Sequence, residues 1–509
     1  MNGPISILPP DIPWPLHDLA GSRQIEATTA AQLPPHTLMQ RAGLATAKLA
    51  LAVAPNATAI WIAAGPGNNG GDGFEAALHL QHAGKRVQVS LFGDPALQPA
   101  DAALSRSRAQ QAGVAISSGL PSELQADLSV DALLGLGLKR APEGELAAAI
   151  HQMNATAWPR LAIDLPSGLD GDTGQRHGHA VVRATHTLAL LSLKPGLFTA
   201  QGRDHAGVIW FDDLGTATLT ALQPPRAWLG SAAVALPFWQ PRRHAQHKGS
   251  FGDVIVVGGG ANMAGAALLA GRAALAAGAG RVYVSALDRS VPSVDAGWPE
   301  LMFKPGLWRD RSAVMASTVV CGCGAGESVR DVLPPLLAHA PRLVLDADAL
   351  NAIAKDTGLQ RQLLARSGRI DRMTALTPHP LEAARLADLH DAAAVQGARL
   401  RVAEQLAVRF GCTVLLKGSG SVIATPGQAS VINPSGNARL ASAGTGDVLA
   451  GWLGGLWAAS QAHSPPPPCS LVAQAAAWTH GRGADAEDPL RPHLALTASG
   501  LLAQLVRPA

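Results

Sequence analysis

Apolar runs rich in β-branched residues alternate with alanine-rich helical segments along nearly the whole chain. Strands that alternate with helices in this way pair in parallel and are joined by crossover helices. A typical intervening helix is GFEAALHLQHAG, for which Gly84 is the expected C-terminal cap. In the first half the predicted strands are ATAIWIAA, KRVQVSLF, SVDALLG, RLAIDLP, HTLALLSL and GVIWF. The pattern predicts an α/β layered fold.

The alternation is interrupted between Leu214 and Arg243, where prolines and basic residues occur without clear periodicity. In the second series the predicted strands are GDVIVVGGG, RVYVSAL, STVVCGCG, RLVLDADAL, MTALTPHP and TVLLKGSGSVIAT, followed by a long helix from GTGDVLAGWLGGLWAA. Because 509 residues exceed what one ordinary hydrophobic core supports, we expect two different α/β domains in series. Their predicted bounds are residues 1–222 and 223–509.

Composition excludes several classes of protein. The hydrophobic fraction is 47% with 15% charged residues, the net charge is only +3, and no block of lysine and arginine marks a nucleic-acid or membrane surface. The first residues lack a signal-peptide pattern, and the four cysteines have neither zinc-ligand spacing nor the density of a disulfide scaffold. We expect a cytoplasmic protein with reduced thiols that binds neither nucleic acid nor membrane. A homo-oligomer is also expected, with a subunit number that the sequence leaves open.

The loop GPGNNGGDG follows a predicted strand and opens a predicted helix. From Gly65 to Gly70 it satisfies the G-x-G-x-x-G spacing of a dinucleotide-binding turn, in which backbone approaches a pyrophosphate. Asn68, Asn69 and Asp72 add side-chain oxygens, which suit a hard cation instead. A tight strand-to-helix turn with capping Asn and Asp side chains is a third interpretation.

Two further acidic loops follow predicted strands. Asp131 is followed by a glycine-rich stretch, and Asp164 precedes Ser167 and Asp170. Each acid alone could be a cap. Because the carboxyl ends of parallel strands face one crevice, however, all three loops are expected to meet at a single site.

The segments GPGNNGGDG, VDALLGLGLKR and IDLPSGLDGDTG resemble the three signature segments of NAD(P)H-hydrate epimerases, over residues 15–213. The resemblance implies a Rossmann-like three-layer domain that interconverts the R and S forms of hydrated NADH and NADPH. It also implies that K+ is bound by Asn69, Asp131 and Ser167. The implied substrate contacts are Asn68, Asn69, Gly70, Gly71, Asp72, Gly135, Leu136, Gly137, Leu138, Lys139, Arg140, Ala141 and Asp164.

Inverting a carbon that carries a hydroxyl requires delivery and removal of a proton as the C–O bond breaks and reforms, and a carboxylate can do both. Asp164 is the first candidate for this acid–base group and Asp72 the second. The sequence does not separate the catalytic acid from a residue that binds ribose or amide.

In the second half, AGTGDVLAG places Gly444, Thr445 and Gly446 before a strongly apolar helix with Asp447 in its first turn. Backbone N–H groups at such a helix start form an anion hole, beside which a carboxylate can accept the proton of an attacking hydroxyl. Simple helix capping by Asp447 is the alternative.

Three further segments bear polar groups at predicted strand ends. TPHP carries His379 with Glu382 beyond it, and LDADALN carries Asp346. The glycine-rich turn Lys417–Ser421 is suited to covering the phosphates of a nucleotide. A histidine such as His379, taken alone, is more often a surface or capping residue.

The segments KGSFG, CGAG, LDADAL, TPHP, LKGSGSV and GTGDVLAG resemble, in this order, the motifs of ADP-dependent NAD(P)H-hydrate dehydratases, over residues 245–505. The resemblance implies a ribokinase-like domain that uses Mg2+ and transfers a phosphoryl group from ADP to the ring hydroxyl, with Asp447 as base, before phosphate is eliminated. The implied hydrated-cofactor site consists of Ala266, Gly326, His379 and Asp447. The implied ADP site consists of Lys417, Gly418, Ser419, Gly420, Ser421 and Gly446.

Together the two halves predict a bifunctional isomerase and lyase that repairs both epimers of the hydrated cofactor. One alternative is a small-molecule kinase of the ribokinase superfamily fused to a cofactor-binding domain, which would leave a stable phosphorylated product. The other is a non-catalytic binding module, for which several oxygen donors in one crevice would have no purpose.

Overall fold

The computed structural model describes residues 3–7, 10–121, 123–138, 140–216, 223–288, 290–291, 293–369, 371–486 and 495–506. The chain divides into two compact units, whose main parts are Trp14–Trp228 and Leu229–Ala509. The domain boundary expected from the sequence, after residue 222, adjoins residues 217–222, which are outside the described ranges.

The first unit contains an eight-stranded sheet with the order β1-β9-β8-β7-β6-β3-β4-β5. Its strand β1 is antiparallel to β9, and the other neighbours are parallel. The strands of this unit are β1 (Ile5–Ser6), β2 (Trp14–Leu16), β3 (Ala59–Ala64), β4 (Arg86–Leu91), β5 (Ala115–Ser118), β6 (Leu128–Ala132), β7 (Arg160–Ile163), β8 (His186–Leu190) and β9 (Val208–Asp212). Its helices are α1 (Leu19–Ala30), α2 (Thr37–Val53), α3 (Asn68–His82), α4 (Ala100–Gln111), α5 (Gly144–Ala155) and α6 (Gly202–His205), with 3-10 turns at Pro95–Leu97 and Pro195–Leu197.

Strand β3 shows why this unit has three layers, with helices on both faces of the sheet. All six of its residues are buried, as expected for a parallel strand covered on both faces. Ile60 and Ile62 pack into one core cluster with Phe74 of α3, whereas Trp61 packs into the opposite cluster with Ile150 of α5. Alternate side chains of β3 therefore pack against helices on opposite faces of the sheet.

Helix α3 ends as the sequence predicts. Gly84 has a φ of +78°. The N–H of Lys85 donates to the carbonyl of Leu80 at 3.1 Å, and that of Gly84 donates to Gln81 at 3.0 Å. This is the glycine-terminated hydrogen-bond pattern that closes many helices.

In the second unit, nine strands run in the order β13-β12-β11-β14-β15-β16-β17-β18-β19. They are parallel up to β17, whereas β18 and β19 are antiparallel to their neighbours. The strands are β11 (Asp253–Gly258), β12 (Arg281–Ala286), β13 (Met302–Phe303), β14 (Ser317–Cys321), β15 (Arg342–Leu345), β16 (Met373–Leu376), β17 (Thr413–Leu416), β18 (Val422–Ala424) and β19 (Ser430–Ile432), while β10 (Ala227–Leu229) includes the point of division.

The helices of this unit are α7 (Ala264–Ala276), α8 (Arg311–Ala316), α9 (Val329–His339), α10 (Asp348–Lys355), α11 (Thr357–Leu364), α12 (Pro380–Leu386), α13 (Ala392–Gln396), α14 (Arg399–Phe410), α15 (Thr445–Ala459), α16 (Cys469–Asp485) and α17 (Ala498–Leu505). Short 3-10 turns occur at Ala232–Val234, Leu236–Trp239, Lys248–Phe251, Leu307–Arg309, Gly326–Ser328, Ala438–Leu440 and Ser460–Ala462. Within the described ranges, no helix is both long and apolar enough to cross a bilayer.

Helix α15 is almost wholly buried and packs closely on α7. A Cβ atom at Gly451 would lie 2.0 Å from the carbonyl oxygen of Ala270, and one at Gly455 would lie 2.3 Å from that of Ala274. The two glycines therefore permit backbone-to-backbone contact. This packing fixes the N-terminus of α15, where Asp447 lies.

Candidate active sites

A cleft of about 1050 Å³ opens at the carboxyl edge of the first sheet. The loops that follow β3, β6 and β7 all contribute to its lining, as does α1, so the three acidic loops do meet. The sequence-predicted residues in the lining are Asn68, Asn69, Asp72, Gly135, Leu136, Gly137, Leu138, Arg140, Ala141 and Asp164. Lys139 lies outside the described residues.

Two glycines of the first loop pack against protein and are not among the lining residues. A Cβ at Gly70 would lie 2.1 Å from the carbonyl oxygen of Gly65, and one at Gly71 would lie 2.5 Å from Sδ of Met39. Similarly, a Cβ at Gly65 would lie 1.8 Å from the carbonyl oxygen of Leu133. Gly65 therefore allows the loops after β3 and β6 to approach each other, and Gly70 allows the first loop to close on itself.

Asp164 forms a buried ion pair with Lys194, a residue that the sequence analysis missed. Oδ1 of Asp164 accepts hydrogen bonds from Nζ of Lys194 and, at 3.2 Å, from the backbone N–H of Leu190. Lys194 is only 1% exposed, and its Nζ also donates to the Leu190 carbonyl at 3.0 Å. Its position directly after the apolar run HTLALLSL was the available signal. The pair places a fixed positive charge beside one of the two candidate acids.

Asp72 is the second carboxyl group of the cleft. Burial raises the pKa of Asp72 well above the usual aspartate range, and the negative charge of Asp164 raises it further. Glu26 of α1 also lines the cleft, and partial desolvation together with the charge of Asp164 raises its pKa as well. The cleft therefore combines the carboxylate paired with Lys194 and a second carboxyl group whose environment favours the protonated form.

Asp131 and Ser167 are joined by hydrogen bonds, and Asn69 packs on the loop after β6, where a Cβ at Gly135 would lie 3.4 Å from that of Asn69. Oδ1 of Asp131 accepts the Ser167 hydroxyl at 2.6 Å, and Oδ2 accepts the Ser167 N–H at 2.8 Å. Burial raises the pKa of Asp131 to about 6, although the bonds from Ser167 oppose the shift. Both polar side-chain atoms of Asn69 are buried with no hydrogen-bond partner among the described residues. The unpartnered buried amide of Asn69 and the buried carboxylate of Asp131 offer oxygen ligands of the kind that suit a hard cation such as K+.

The second site lies at the carboxyl edge of the second sheet and centres on Asp346. Nζ of Lys417 lies 2.6 Å from Oδ1 of Asp346, which also accepts the Thr377 hydroxyl at 2.9 Å. Sγ of Cys323 and one carboxylate oxygen each of Asp346 and Asp447 all lie within 4.8 Å of one another. The sequence analysis did not single out Cys323, whose thiol is hydrogen-bonded to Asp447.

The charges of this site shift the pKa of its central groups. Burial, followed by the negative charge of Asp346, raises the pKa of Asp447 to about 6. Burial alone would lower the pKa of Lys417, but Asp346 and Glu382 raise it above the ordinary lysine value. Lys417 is therefore positively charged at neutral pH, whereas Asp447 can gain or lose a proton near neutral pH.

His379 caps helix α12 and connects to the same charges. Its Nδ1 accepts the N–H groups of Leu381 at 3.1 Å and Glu382 at 3.3 Å, so the ring proton lies on Nε2, 3.2 Å from Oε1 of Glu382. Oε2 of Glu382 lies 3.9 Å from Nζ of Lys417. Burial and the charge of Lys417 lower the pKa of His379, and burial raises that of Glu382 to about 7. The capping alternative therefore describes His379 correctly, and its ring remains half exposed beside the site.

The remaining predicted residues of this half lie on loops at the same edge. A Cβ at Gly446 would lie 3.4 Å from Nζ of Lys417, which places the start of α15 against the Lys417–Ser421 turn. The N–H of Gly326 donates to Asp348 at 2.8 Å. Ala266 adjoins the same glycine-rich loop after β14, because a Cβ at Gly324 would lie 2.9 Å from that of Ala266.

Two family models match the chain. One is described as the YjeF-related protein N-terminus and covers residues 35–196, and the other as NAD(P)H-hydrate dehydratase and covers residues 254–502. The bifunctional NAD(P)H-hydrate repair enzyme Nnr of Escherichia coli (strain K12) is 36% identical over 461 residues, which is 89% of this chain and 86% of that protein. This chain belongs to the family of bifunctional NAD(P)H-hydrate repair enzymes.

Other repair enzymes of the family show a similar match. The enzyme of Leishmania major is 36% identical over 486 residues, covering 88% of this chain and 84% of its own. The ADP/ATP-dependent NAD(P)H-hydrate dehydratase of Bacillus subtilis, crystallised with ATP and Mg2+, is 27% identical with a TM-score of 0.44 and covers 52% of this chain and 91% of its own. The predicted family is confirmed, with an epimerase half before a dehydratase half. The homo-oligomeric state and the cytoplasmic location stay predictions.

Proposed function

We propose that this enzyme repairs hydrated NADH and NADPH in two steps, with the roles of its residues assigned as follows. The N-terminal cleft interconverts the R and S forms, and the C-terminal site dehydrates the S form at the expense of ADP, giving AMP and phosphate. One observation supports both assignments. In each unit, a lysine is paired with one aspartate, the buried Lys194 with Asp164 and the partly buried Lys417 with Asp346, while a second carboxyl group nearby has a raised pKa.

Epimerisation requires a proton donor and a proton acceptor around one ring carbon. Asp72, whose raised pKa favours the protonated form, donates a proton to the departing hydroxyl, so that water leaves with the C–O electron pair. The ring nitrogen stabilises the resulting cation. Asp164, charged and held in place by Lys194, then takes a proton from a water molecule that attacks the opposite face. The carbon is inverted, Asp72 has lost a proton and Asp164 has gained one.

Asn69, Asp131 and Ser167 would hold K+ beneath this reaction. The orphaned amide of Asn69 is the observation that supports the assignment. When bound, K+ supplies a positive charge that offsets the buried carboxylate of Asp131. Asn69 lies in the first turn of α3, Asp131 near the end of β6 and Ser167 on the loop after β7, so a shared ion would also fix the relative positions of the residues that line the cleft.

In the dehydratase half, the turn of Lys417, Gly418, Ser419, Gly420 and Ser421 and the start of α15 at Gly446 bind ADP. Asp447 accepts the proton of the ring hydroxyl as its oxygen attacks the terminal phosphorus of ADP and the P–O bond to AMP breaks. Lys417 and the backbone N–H groups at the helix start offset the charge of the transferred group. When bound, Mg2+ would supply further positive charge to offset that of the phosphates.

Elimination completes the dehydration. Phosphate is a better leaving group than hydroxide, so it departs with the C–O electrons, and loss of a ring proton regenerates the dihydropyridine. Ala266, Gly326 and His379 would line the pocket for the ring. Consumption of the ADP phosphoanhydride drives this step to completion.

One experiment tests both activities. The enzyme is incubated with mixed R and S hydrates plus ADP and Mg2+, and the absorbance of the reduced nicotinamide and the AMP formed are followed. Recovery beyond the amount of S form supplied supports both steps, and omission of ADP should leave only epimerisation. A stable phosphorylated product without recovered absorbance would instead support the kinase alternative.

A further inference from the structure

A buried arginine lies beneath the Lys417–Ser421 turn. Arg399, the first residue of α14, is 2% exposed. Its Nη2 is hydrogen-bonded to the carbonyl oxygens of Leu416 at 3.4 Å, Lys417 at 3.2 Å and Gly420 at 3.2 Å. One guanidinium group therefore binds carbonyls at both the start of the turn, at Leu416 and Lys417, and its end, at Gly420.

The backbone of the turn fits closely around this group. Gly418 has a φ of +132° and Gly420 a φ of +62°, conformations that favour glycine. A Cβ at Gly418 would lie 2.8 Å from Nη1 of Arg399. The carbonyl of Gly418 accepts the hydroxyl of Ser421 at 3.2 Å. The carbonyl groups of Lys417, Gly418 and Gly420 are thus all held by donors within the protein.

The orientation of these carbonyls matters for an anion. A carbonyl oxygen that turned toward a phosphate would repel it, whereas a turn whose carbonyls are held by the protein can present its N–H groups. Burial lowers the pKa of Arg399 to about 10, so the guanidinium remains charged at neutral pH. A charged, planar donor group is well suited to binding several carbonyls at once.

We propose that Arg399 is a positioning residue that sets the affinity of the Lys417–Ser421 turn for the diphosphate of a nucleoside diphosphate. It holds the carbonyls of the turn on the protein side without touching the nucleotide. The proposal rests on the assignment of this turn to ADP under the proposed function, and it adds a residue that none of the sequence motifs contains.

The chain offers a matched control in Arg366. This arginine is 3% exposed, and burial likewise lowers its pKa to about 10. Its guanidinium also binds backbone carbonyls, those of Leu337 at 2.6 Å and Ala340 at 2.7 Å, and it donates to the Thr374 hydroxyl at 2.9 Å. None of these groups belongs to the Lys417–Ser421 turn. A substitution of Arg366 therefore measures the effect of altering a buried arginine that does not contact the turn.

The test compares Arg399→Lys with Arg366→Lys in the full chain. Lysine keeps the charge but lacks the fork that binds several carbonyls. We expect Arg399→Lys to raise both the KM and the calorimetric Kd for ADP by about tenfold, with kcat and the KM for the hydrated cofactor within about twofold. Arg366→Lys should lower Tm to a similar extent while leaving the KM for ADP within about twofold. Hydrogen exchange at residues 417–421 should accelerate only in Arg399→Lys.

Equal changes of the KM for ADP in the two variants would overturn the proposal, as would a fall of kcat at unchanged KM in Arg399→Lys. If that variant does not fold, Arg399→Gln, which keeps an N–H donor without the charge, tests the same expectation. Failure of the proposed function gives a different result, since the unaltered enzyme would then not bind ADP. If the unaltered enzyme binds ADP and the Arg399 variants bind it equally well, only the role of Arg399 is wrong.

Discussion

The candidate sites of the epimerase and dehydratase halves share one electrostatic arrangement in two different folds. In the epimerase cleft, the buried ammonium of Lys194 is paired with Asp164, and Asp72 has a pKa raised well above the ordinary value. In the dehydratase site, Lys417 is paired with Asp346, and Asp447 has a pKa of about 6. A lysine that is paired with one aspartate leaves the second carboxyl group to bear the penalty of burial, which favours its protonated form.

The sites differ in where the second carboxyl group lies. Asp72 lies in a broad cleft that Asp164, the carboxylate paired with Lys194, also lines. Under the proposed function, Asp164 acts on the opposite face of the substrate. Asp447 lies in the first turn of a buried helix, where backbone N–H groups and Lys417 favour an anion. Under the proposed function, similar charges would support proton transfer to and from oxygen in one unit and phosphoryl transfer in the other. Four experiments can contradict or refine this comparison.

The largest effect is expected for Asp447→Asn. Loss of the base should lower ADP-dependent recovery of the reduced cofactor by about 10³-fold, because general-base catalysis contributes on this scale. Interconversion of the R and S forms, measured by chromatography, should stay within about twofold. A parallel fall of both activities would show that the two sites are not separate.

Asp164→Asn should give the reverse pattern. We expect epimerisation to fall by about 10²-fold and dehydration of purified S form to remain unchanged. Lys194→Met should match this loss and lower the stability of the protein by about 3 kcal/mol, because it leaves a buried carboxylate without its partner. The double variant should lose less than the sum of the two effects, measured by urea unfolding. Strict additivity would mean that the ion pair is not the functional unit.

The pH dependence of dehydration should report Asp447. Its pKa is raised to about 6, and the base acts only when ionised, so kcat/KM should fall about tenfold for each pH unit below about 6. An aspartate with its usual pKa would sustain activity to about pH 4. The measurement is a pH profile of kcat/KM for the S form at saturating ADP. A flat profile down to pH 5 would show that another group is the base.

The smallest effect is expected for K+. Replacing K+ with tetramethylammonium should lower epimerisation severalfold and leave dehydration unchanged. A K+ concentration ten times its Kd should also stabilise the fold by about 1.4 kcal/mol, which is visible as a rise in Tm. Asn69→Leu should abolish this rise because it removes the orphaned amide oxygen. An equal response of Tm to both cations would argue against a specific site.

Much of the architecture follows from local patterns. The continuous apolar run of β3 predicts a strand buried on both faces, and Gly84 predicts the end of α3. Turn chemistry also locates Asp131 and Asp164 at strand ends, which parallel topology brings to one edge. The glycines of the first loop show the limit of this reasoning. G-x-G-x-x-G spacing suggests phosphate contact, but Gly70 is needed for packing against Gly65.

By itself the sequence determined the order of strands and helices and the loops that carry acidic residues, because periodicity, caps and turns depend on neighbours along the chain. Only the tertiary structure decided which charges meet. Lys194 joins Asp164 across 30 residues, and Lys417 joins Asp346 across 71. Burial and charge separation depend on distances in space, so the raised pKa values of Asp72 and Asp447 arise only once these loops have come together.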